Sequence, residues 1–162
     1  VFVRLGSDYS DYVFTQQDID EIIRSSVKKF ASEFIDRRIR LEYDSVDIQA
    51  VTDEKWFTFV VEQLLSNALK YTREGSIRIY SEGKVLCIKD TGIGIAPEDL
   101  PRIFDRGYTG RNGRTHRQAS GIGLYLCRRI CRDLGHTITA ASAVGEGTVI
   151  RLDLSRRTGP LE

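Results

Sequence analysis

The chain has 162 residues, a formal net charge of +1, and 41% hydrophobic and 29% charged residues. This length suits one domain, and the hydrophobic share is typical of a soluble globular protein. The near-neutral charge indicates no general affinity for nucleic acid or for a membrane surface. No apolar run in the sequence reaches the roughly eighteen residues that a membrane span requires, and no secretory signal peptide is visible.

Because the chain begins at Val1 and contains no Met, we expect it to be a piece of a longer protein. Three cysteines, Cys87, Cys127 and Cys131, are too few for a disulfide framework, so a reducing compartment is expected. Cys127 and Cys131 lie four residues apart and would share a helix face. A metal site would need further ligands, with His136 the candidate nearby, so buried thiols are the favoured interpretation.

The first half of the chain predicts an arm, three short strands and two helices. Residues 1–12 have the character of an arm or linker. Thr15 followed by Asp18 suggests a capping box, and apolar residues then follow helical spacing: Ile19, Ile22, Ile23, Val27, Phe30 and Phe34. Asp53 is a suitable N-cap for a second helix that reaches about Tyr71. The strands are predicted at residues 13–15, 40–43 and 46–51, the last two around a turn at 44–45.

The second half predicts two hairpins, a loop and a third helix. The hairpins comprise residues 76–81 with 84–89, and 137–141 with 148–154, the latter around a Gly-rich turn at 145–147. Residues 98–104 predict a short helical turn, residues 105–120 a mobile loop, and residues 121–134 a helix ended by Gly135. Strands and helices in this order predict an α+β fold, a two-layer α/β sandwich in which three helices back a mixed sheet.

Four polar residues form one stripe on the second predicted helix. Gln63, Asn67, Lys70 and Tyr71 follow the spacing i, i+4, i+7 and i+8. A solvated polar edge of an amphipathic helix is one interpretation. The other is a nucleotide site, in which the amide oxygen of Asn67 suits Mg²⁺, a cation that takes one or two protein oxygens and keeps its waters and phosphates. Lys70 would supply positive charge for phosphate, and Tyr71 a flat face for a base.

An Asp-x-Gly-x-Gly turn follows the apolar run at residues 86–88. The Asp90 carboxylate would accept a hydrogen bond from an exocyclic amine such as adenine N6, a charge-assisted bond of about 1.5–3 kcal/mol. Guanine presents a carbonyl there, so Asp90 would select ATP over GTP. Gly92 and Gly94 would allow the backbone to approach the ring closely. An ordinary Asp-Gly turn is the alternative.

Five arginines and one acid lie between residues 102 and 119, which indicates either a polyanion nearby or a solvated loop. The arginines are Arg102, Arg106, Arg111, Arg114 and Arg117. Residues 120–124, Ser-Gly-Ile-Gly-Leu, then open a helix. Backbone N–H groups at a helix start bind phosphate well, and the two glycines permit close approach. The pattern is neither a Rossmann fingerprint nor a Walker A loop.

In combination, five segments resemble the motifs of histidine kinases. Residues 62–72 are similar to the N box, 90–95 to the G1 box, 103–108 to the F box, 120–124 to the G2 box and 145–148 to the final Gly-x-Gly-Thr motif. The likeness covers about residues 13–155, so we expect residues 1–12 to be an arm from preceding dimerisation helices and residues 156–162 a C-terminal tail of native or vector origin. The superfamily includes gyrase, Hsp90 and MutL, and the resemblance implies the Bergerat fold, a mixed sheet backed by three helices with a mobile ATP lid.

The chain departs from the family's pattern at three positions. Gln63 stands where the first N-box Asn is usual, Gly107 where the F box has a second aromatic, and Ala119 where the G2 box has its first Gly. Residues 105–114 together with 121–126 are most similar to kinases of Gram-positive bacteria that sense bacitracin-like antimicrobial peptides.

The resemblance implies that the chain binds ATP with Mg²⁺ and donates the γ-phosphoryl group to a histidine. Asn67, Lys70 and Gln63 would be catalytic, with Asn67 the metal ligand. The nucleotide-binding residues would be Asn67, Lys70, Tyr71, Asp90, Gly92, Gly94, Ile95, Phe104, Arg106, Ser120, Gly121, Ile122, Gly123, Leu124 and Thr148. Expected partners are a histidine-bearing dimerisation domain of the same full-length kinase and a response regulator, and no nucleic acid. The full-length kinase would be a homodimer anchored in the bacterial plasma membrane, with this domain in the cytoplasm.

Two other functions stay open. A hydrolase like gyrase or MutL would place a general-base Glu four residues before Asn67. That position holds Gln63, and Glu62 points about 100° away on the helix, so a hydrolase is disfavoured. A nucleotide-binding regulator without turnover also fits. His116 and His136 lack the His-Glu/Asp context of a phosphoacceptor, so we expect both to be structural or surface residues and the nucleophile to lie outside this chain.

Overall fold

A computed structural model of the chain describes residues 12–108 and 123–155. The described strands are β1 (Thr15–Asp18), β2 (Ile39–Tyr43), β3 (Gln49–Thr52), β4 (Gly75–Glu82), β5 (Val85–Asp90), β6 (Thr137–Ala143) and β7 (Gly147–Asp153). The described helices are α1 (Ile19–Arg37), α2 (Glu54–Tyr71) and α3 (Gly123–Leu134), with a 3-10 turn at Leu100–Arg102. Outside the described residues lie nearly all of the predicted arm, most of the predicted loop at 105–120, the first two residues of the last predicted helix, and the tail.

Five of the described strands form one mixed sheet in the order β2-β4-β5-β7-β6. β2 pairs with β4 in parallel, and the remaining neighbours pair antiparallel. The register places Ile77, Asp90, Thr148 and Ser142 side by side in one row across four strands. Directly paired residues point to the same face of a sheet, and Ile77 is fully buried. The row therefore lies on the face that the helices cover.

The described helices lie side by side on this sheet. α2 contacts α1 on one flank and α3 on the other, while α1 contacts β2, α2 contacts β5 and α3 contacts β6. Fully buried apolar side chains from both layers fill the space between them: Phe57, Leu65, Ile77, Ile79, Leu86, Ile130 and Leu152. This arrangement confirms the predicted two-layer α+β fold.

The ends of two helices follow from local chemistry, as predicted. Asp53 caps α2, because its Oδ1 accepts a hydrogen bond from the Trp56 N–H over 2.8 Å. Gly135 follows α3 with a φ of 86°, a conformation that glycine adopts without cost. The N–H of Gly135 donates to the Arg132 carbonyl over 3.1 Å and so closes the last turn.

The start of α1 differs from the prediction. The first strand covers Thr15–Asp18 instead of residues 13–15, because these four residues pair with β3. The N-cap of α1 is consequently Asp18, whose side chain accepts a hydrogen bond from the Asp20 N–H. Thr15 therefore does not cap the helix, and the capping box was the wrong interpretation.

The predicted turn at residues 44–45 does not join a hairpin. β2 pairs in parallel with β4, whereas β3 pairs antiparallel with β1 in a separate two-stranded sheet. The connection instead turns away over the start of α1, where the Asp20 carboxylate accepts hydrogen bonds from the Val46 N–H and the Tyr43 hydroxyl. Val46 is 2% exposed. Burial of this apolar side chain is therefore favoured over a tight turn that would pair the strands on either side of it.

The thiols and one histidine have structural roles. Cys127 and Cys131 are fully buried and free, and burial raises the pKa of Cys131 to about 12. His136 is buried, lies 2.9 Å from the Thr52 hydroxyl through Nε2, and packs edge-on against Phe57. His136 is therefore structural and not a surface residue, whereas His116 lies outside the described residues. No helix among the residues described combines the length and hydropathy of a membrane span.

Candidate functional site

The centre of the site is a buried carboxylate at the end of β5. Asp90 is 9% exposed, and its Oδ1 accepts hydrogen bonds from the N–H groups of Gly92, over 2.9 Å, and of Thr148, over 3.2 Å. Burial raises the pKa of Asp90, and these two bonds oppose that rise. Oδ2 accepts no hydrogen bond from the residues that the structure describes. One carboxylate oxygen thus stays available to a donor from a ligand.

The two glycines of the following turn are required by the packing of the protein itself. A Cβ added at Gly92 would lie 2.4 Å from the carbonyl oxygen of Tyr71. Gly94 has a φ of 79°, and a Cβ there would lie 2.1 Å from the carbonyl oxygen of Ala143. The N–H of Ile93 donates to the Tyr71 carbonyl over 3.1 Å. The turn therefore joins the end of α2 to the end of β6, and close approach of the glycines to a base stays a prediction.

A serine that the sequence analysis did not single out joins this turn to β7. The Ser142 hydroxyl accepts the Ile95 N–H over 2.8 Å, donates to the Gly147 carbonyl over 2.9 Å, and lies 2.7 Å from the Thr148 hydroxyl. Small residues surround Ser142 in β6, so composition carries no signal. The hairpin predicted around residues 145–147 could have indicated Ser142, because the observed register of this hairpin places Ser142 opposite Thr148.

The polar stripe of α2 borders the core as predicted. Gln63, Asn67, Lys70 and Tyr71 are each partly exposed, and the Lys70 ammonium lies 5.9 Å from the centre of the Tyr71 ring. A Cβ added at Gly123 would lie 2.9 Å from Oε1 of Gln63. The first described residue of α3 therefore lies directly against the stripe.

Two cation–π pairs join the segment after the 3-10 turn to α3. The guanidinium of Arg128 lies 5.6 Å from the centre of the Phe104 ring, and that of Arg106 lies 5.7 Å from the centre of the Tyr125 ring. Each element supplies one cation and one ring, so the contact is reciprocal. Phe104 and Arg106 are both predicted to bind nucleotide, and in the structure both also contact α3.

The remaining predicted positions divide into two groups. Leu124 is partly buried and packs against the core, and Thr148 lies beside Asp90 in the sheet. Ser120, Gly121 and Ile122 lie outside the described residues, as do Ala119 and the arginines Arg111, Arg114 and Arg117.

Residues 52–158 match the family described as "Histidine kinase-, DNA gyrase B-, and HSP90-like ATPase". The chain is 35% identical over 155 residues to the sensor histidine kinase YxdK of Bacillus subtilis, a match that covers 91% of this chain and 48% of YxdK. It is 39% identical over 150 residues to the sensor protein kinase GraS of Staphylococcus aureus, covering 89% of this chain and 42% of GraS. The chain thus spans about half the length, or less, of these curated relatives. Their names agree with the predicted likeness to kinases of Gram-positive bacteria.

Two solved structures of histidine kinases have the same fold as this chain. The nucleotide-free catalytic domain of ThkA superposes with a TM-score of 0.74 at 23% identity, covering 86% of this chain and 95% of that domain. Full-length ShkA in complex with AMPPNP superposes with a TM-score of 0.78 at 20% identity, covering 98% of this chain and 35% of ShkA. These likenesses confirm the predicted fold.

Proposed function

Because the chain belongs to the family of histidine kinase-, DNA gyrase B- and HSP90-like ATPases, we propose that it binds ATP with Mg²⁺ and donates the γ-phosphoryl group to a histidine in a two-component sensor kinase. The observation that carries this proposal is the buried Asp90 carboxylate, which keeps Oδ2 available on the helix-facing side of the sheet.

The adenine end would be built from Asp90 and its neighbours. Oδ2 of Asp90 would accept a hydrogen bond from the N6 amine of adenine. Both hydrogen bonds from the described residues go to Oδ1, and a buried carboxylate oxygen normally has a donor. Thr148 lies next to Asp90 in the same row of the sheet. Tyr71, half-buried at the end of α2, would offer its ring to the base or the ribose.

The phosphate end would be built from α2 and the start of α3. The partly exposed carboxamide of Asn67 supplies one hard oxygen, which suits a cation that keeps most of its water and phosphate ligands. Lys70 would neutralise phosphate charge, and Gly123 with Leu124 would present backbone N–H groups. Arg106 adds a further cation on the segment before α3. Mg²⁺, when bound, would reduce the repulsion between the phosphates and an attacking nucleophile.

The acceptor histidine would belong to a separate dimerisation domain of the full-length kinase. His136 is 7% exposed and contacts Thr52 and Phe57, so its imidazole is not placed to attack a bound nucleotide. YxdK and GraS are sensor kinases by name, and each is about twice as long as the matched region. We propose by analogy that the full-length protein is a membrane-anchored homodimer, that this domain is cytoplasmic, and that a response regulator receives the phosphoryl group.

The decisive test combines the chain, ATP labelled at the γ-phosphate, Mg²⁺ and the histidine-bearing helical hairpin of the full-length kinase. The expected product is an acid-labile, base-stable phosphohistidine on the hairpin, absent when the acceptor histidine is replaced by Gln. Phosphate release without phosphohistidine would indicate a hydrolase, which Gln63 disfavours because an amide cannot act as a general base. Nucleotide binding without either product would indicate a regulator.

A further inference from the structure

The Ser142 hydroxyl has three polar neighbours, and two of them can accept its single proton. The Ile95 N–H can only donate, and it lies 2.8 Å from Ser142 Oγ. The Gly147 carbonyl can only accept, and it lies 2.9 Å away. The Thr148 hydroxyl, 2.7 Å away, can do either. A serine hydroxyl offers one proton and two lone pairs, so the roles of its neighbours are linked.

One assignment satisfies all three contacts. Ser142 donates its proton to the Gly147 carbonyl and accepts from the Ile95 N–H with one lone pair. The second lone pair then accepts the Thr148 proton. The proton of Thr148 is thereby directed away from the Asp90 side and towards Ser142. Thr148 Oγ1 keeps only lone pairs for any ligand.

We propose that Ser142 is a specificity-determining positioning residue for the purine, an inference that rests on the proposed function. By holding the Thr148 proton, Ser142 makes Thr148 an obligatory acceptor next to Asp90, whose carboxylate also only accepts. The wall that faces the purine 6-position then contains acceptors alone. An exocyclic amine suits such a wall, directly or through one bound water, whereas a 6-carbonyl meets lone pairs that have no proton to offer.

Asp90 discriminates by its charge, whereas Ser142 discriminates by orienting a neutral hydroxyl. Without Ser142, the Thr148 hydroxyl could rotate and donate to a 6-carbonyl. Loss of the Ser142 hydroxyl should therefore improve binding of a 6-oxopurine, which loss of a merely structural residue would not do. The Ser142–Thr148 contact lies on two paired strands, so the hydroxyl geometry is held by the sheet itself.

The test is calorimetric titration of the chain with ATP and with ITP, which differ at the 6-position and the N1 proton. Ser142→Ala should tighten ITP binding about tenfold, while ATP binding changes less than about threefold. Ser142→Thr keeps a hydroxyl, so the ratio of the affinity for ATP to the affinity for ITP should equal that of the unmodified chain. A ratio unchanged by Ser142→Ala would overturn the inference. If the unmodified chain does not bind ATP at all, that result would instead contradict the proposed function.

Thr148→Val supplies a second measurement that does not depend on how Ser142→Ala folds. It removes the acceptor, so the ATP-to-ITP ratio should fall, and adding Ser142→Ala to it should cause no further change in the ratio. If Ser142→Ala does not fold, Thr148→Val decides, and a ratio equal to that of the unmodified chain would overturn the inference.

Discussion

The two ends of the proposed site differ in how much of their order is built into the chain. At the adenine end, hydrogen bonds of 2.7–3.2 Å link Asp90 to Thr148, Thr148 to Ser142, and both Asp90 and Ser142 to nearby backbone. At the phosphate end, the side chains of Asn67 and Lys70 form no hydrogen bond with the described residues. Buried polar groups must be satisfied within the protein, whereas partly exposed ones are satisfied by water. Under the proposed function, the residues for the base would therefore be ordered before the nucleotide binds, and those for the phosphates would become ordered on the ligand.

The largest expected effect is on the free energy of unfolding, and it distinguishes Gly147, which is packed against Asp90, from Gly145 in the same turn. Gly147 has a φ of 122°, and an added Cβ would lie 2.0 Å from the carbonyl oxygen of Asp90. Gly147→Ala should therefore lower the free energy of unfolding by about 3 kcal/mol. Gly145 in the same turn has a φ of 81° with open space around it, so Gly145→Ala should cost only about 1 kcal/mol. Urea denaturation of both variants measures the difference, and equal losses would contradict the packing explanation.

Removing the charge at the adenine end should reduce nucleotide affinity strongly. Asp90→Asn keeps the shape of the side chain but removes its charge. The atom in place of Oδ2 becomes either a neutral carbonyl oxygen or an NH₂ donor, at a cost of about 1.5–3 kcal/mol in ATP binding. Calorimetry measures this loss. Asp47→Asn, at an exposed position in the β2–β3 connection, is the matched control and should bind as the unmodified chain does. Equal affinity of the two variants would remove Asp90 from the site.

The same carboxylate should make binding sensitive to pH. Burial raises the pKa of Asp90 above the ordinary range of aspartate, so protonation begins at a higher pH than for an exposed aspartate. ATP affinity should fall as the pH decreases through this raised pKa. The folded chain should gain stability relative to the unfolded chain over the same interval, because the folded state then binds the proton more tightly. Asp90→Asn should lose both dependences, and a variant that keeps them would assign them to another group.

At the phosphate end, the metal should be the sensitive component. If Asn67 holds Mg²⁺, Asn67→Ala should reduce the affinity for Mg²⁺-ATP to the value measured for ATP in the presence of EDTA. Ser66→Ala, a neighbouring substitution on α2, should retain the dependence on Mg²⁺. Calorimetric titrations with and without EDTA measure both variants. A full Mg²⁺ effect in Asn67→Ala would contradict the proposed ligand.

The smallest expected effect concerns the reciprocal cation–π pairs. Arg128→Leu should lower the free energy of unfolding by about 0.5–1 kcal/mol, because an exposed cation–π contact with Phe104 is lost. Arg132→Leu, one turn later on the exposed side of α3, should have a smaller effect. Urea denaturation compares them, and no difference would show that the contact with Phe104 contributes nothing measurable.

Local signals in the sequence predicted elements whose ends depend on adjacent residues. The cap at Asp53, the length of α2 and the glycine after α3 were all correct for this reason. The strands predicted on either side of the turn at residues 44–45 do not pair with each other, because strand pairing depends on distant partners, here β4 for β2 and β1 for β3. No local pattern distinguishes a turn that closes a hairpin from one that leaves the sheet.

The site divides in the same way. The resemblance to the histidine kinase motifs implied that Asp90 and Thr148 lie near the same base, and the structure brings these two residues together from segments 58 positions apart. Ser142 was missed because its importance arises from three neighbours on different elements and not from its own residue type. The glycines were noticed for a ligand, but the structure gives Gly92 and Gly94 a prior requirement, since each approaches a carbonyl oxygen of the protein.

The Asp53 carboxylate also has a mechanical consequence. Oδ1 holds the first turn of α2 at Trp56, and Oδ2 accepts the Val13 N–H over 2.7 Å. α2 is unbroken from Glu54 to Tyr71, so Asn67 lies about 20 Å along a stiff rod from this junction. The Tyr12 hydroxyl bonds in addition to Asp133 of α3 over 2.8 Å. A displacement of residues 12–13 would therefore be transmitted to both α2 and α3. These two helices carry the residues that we propose for the phosphate end of the site.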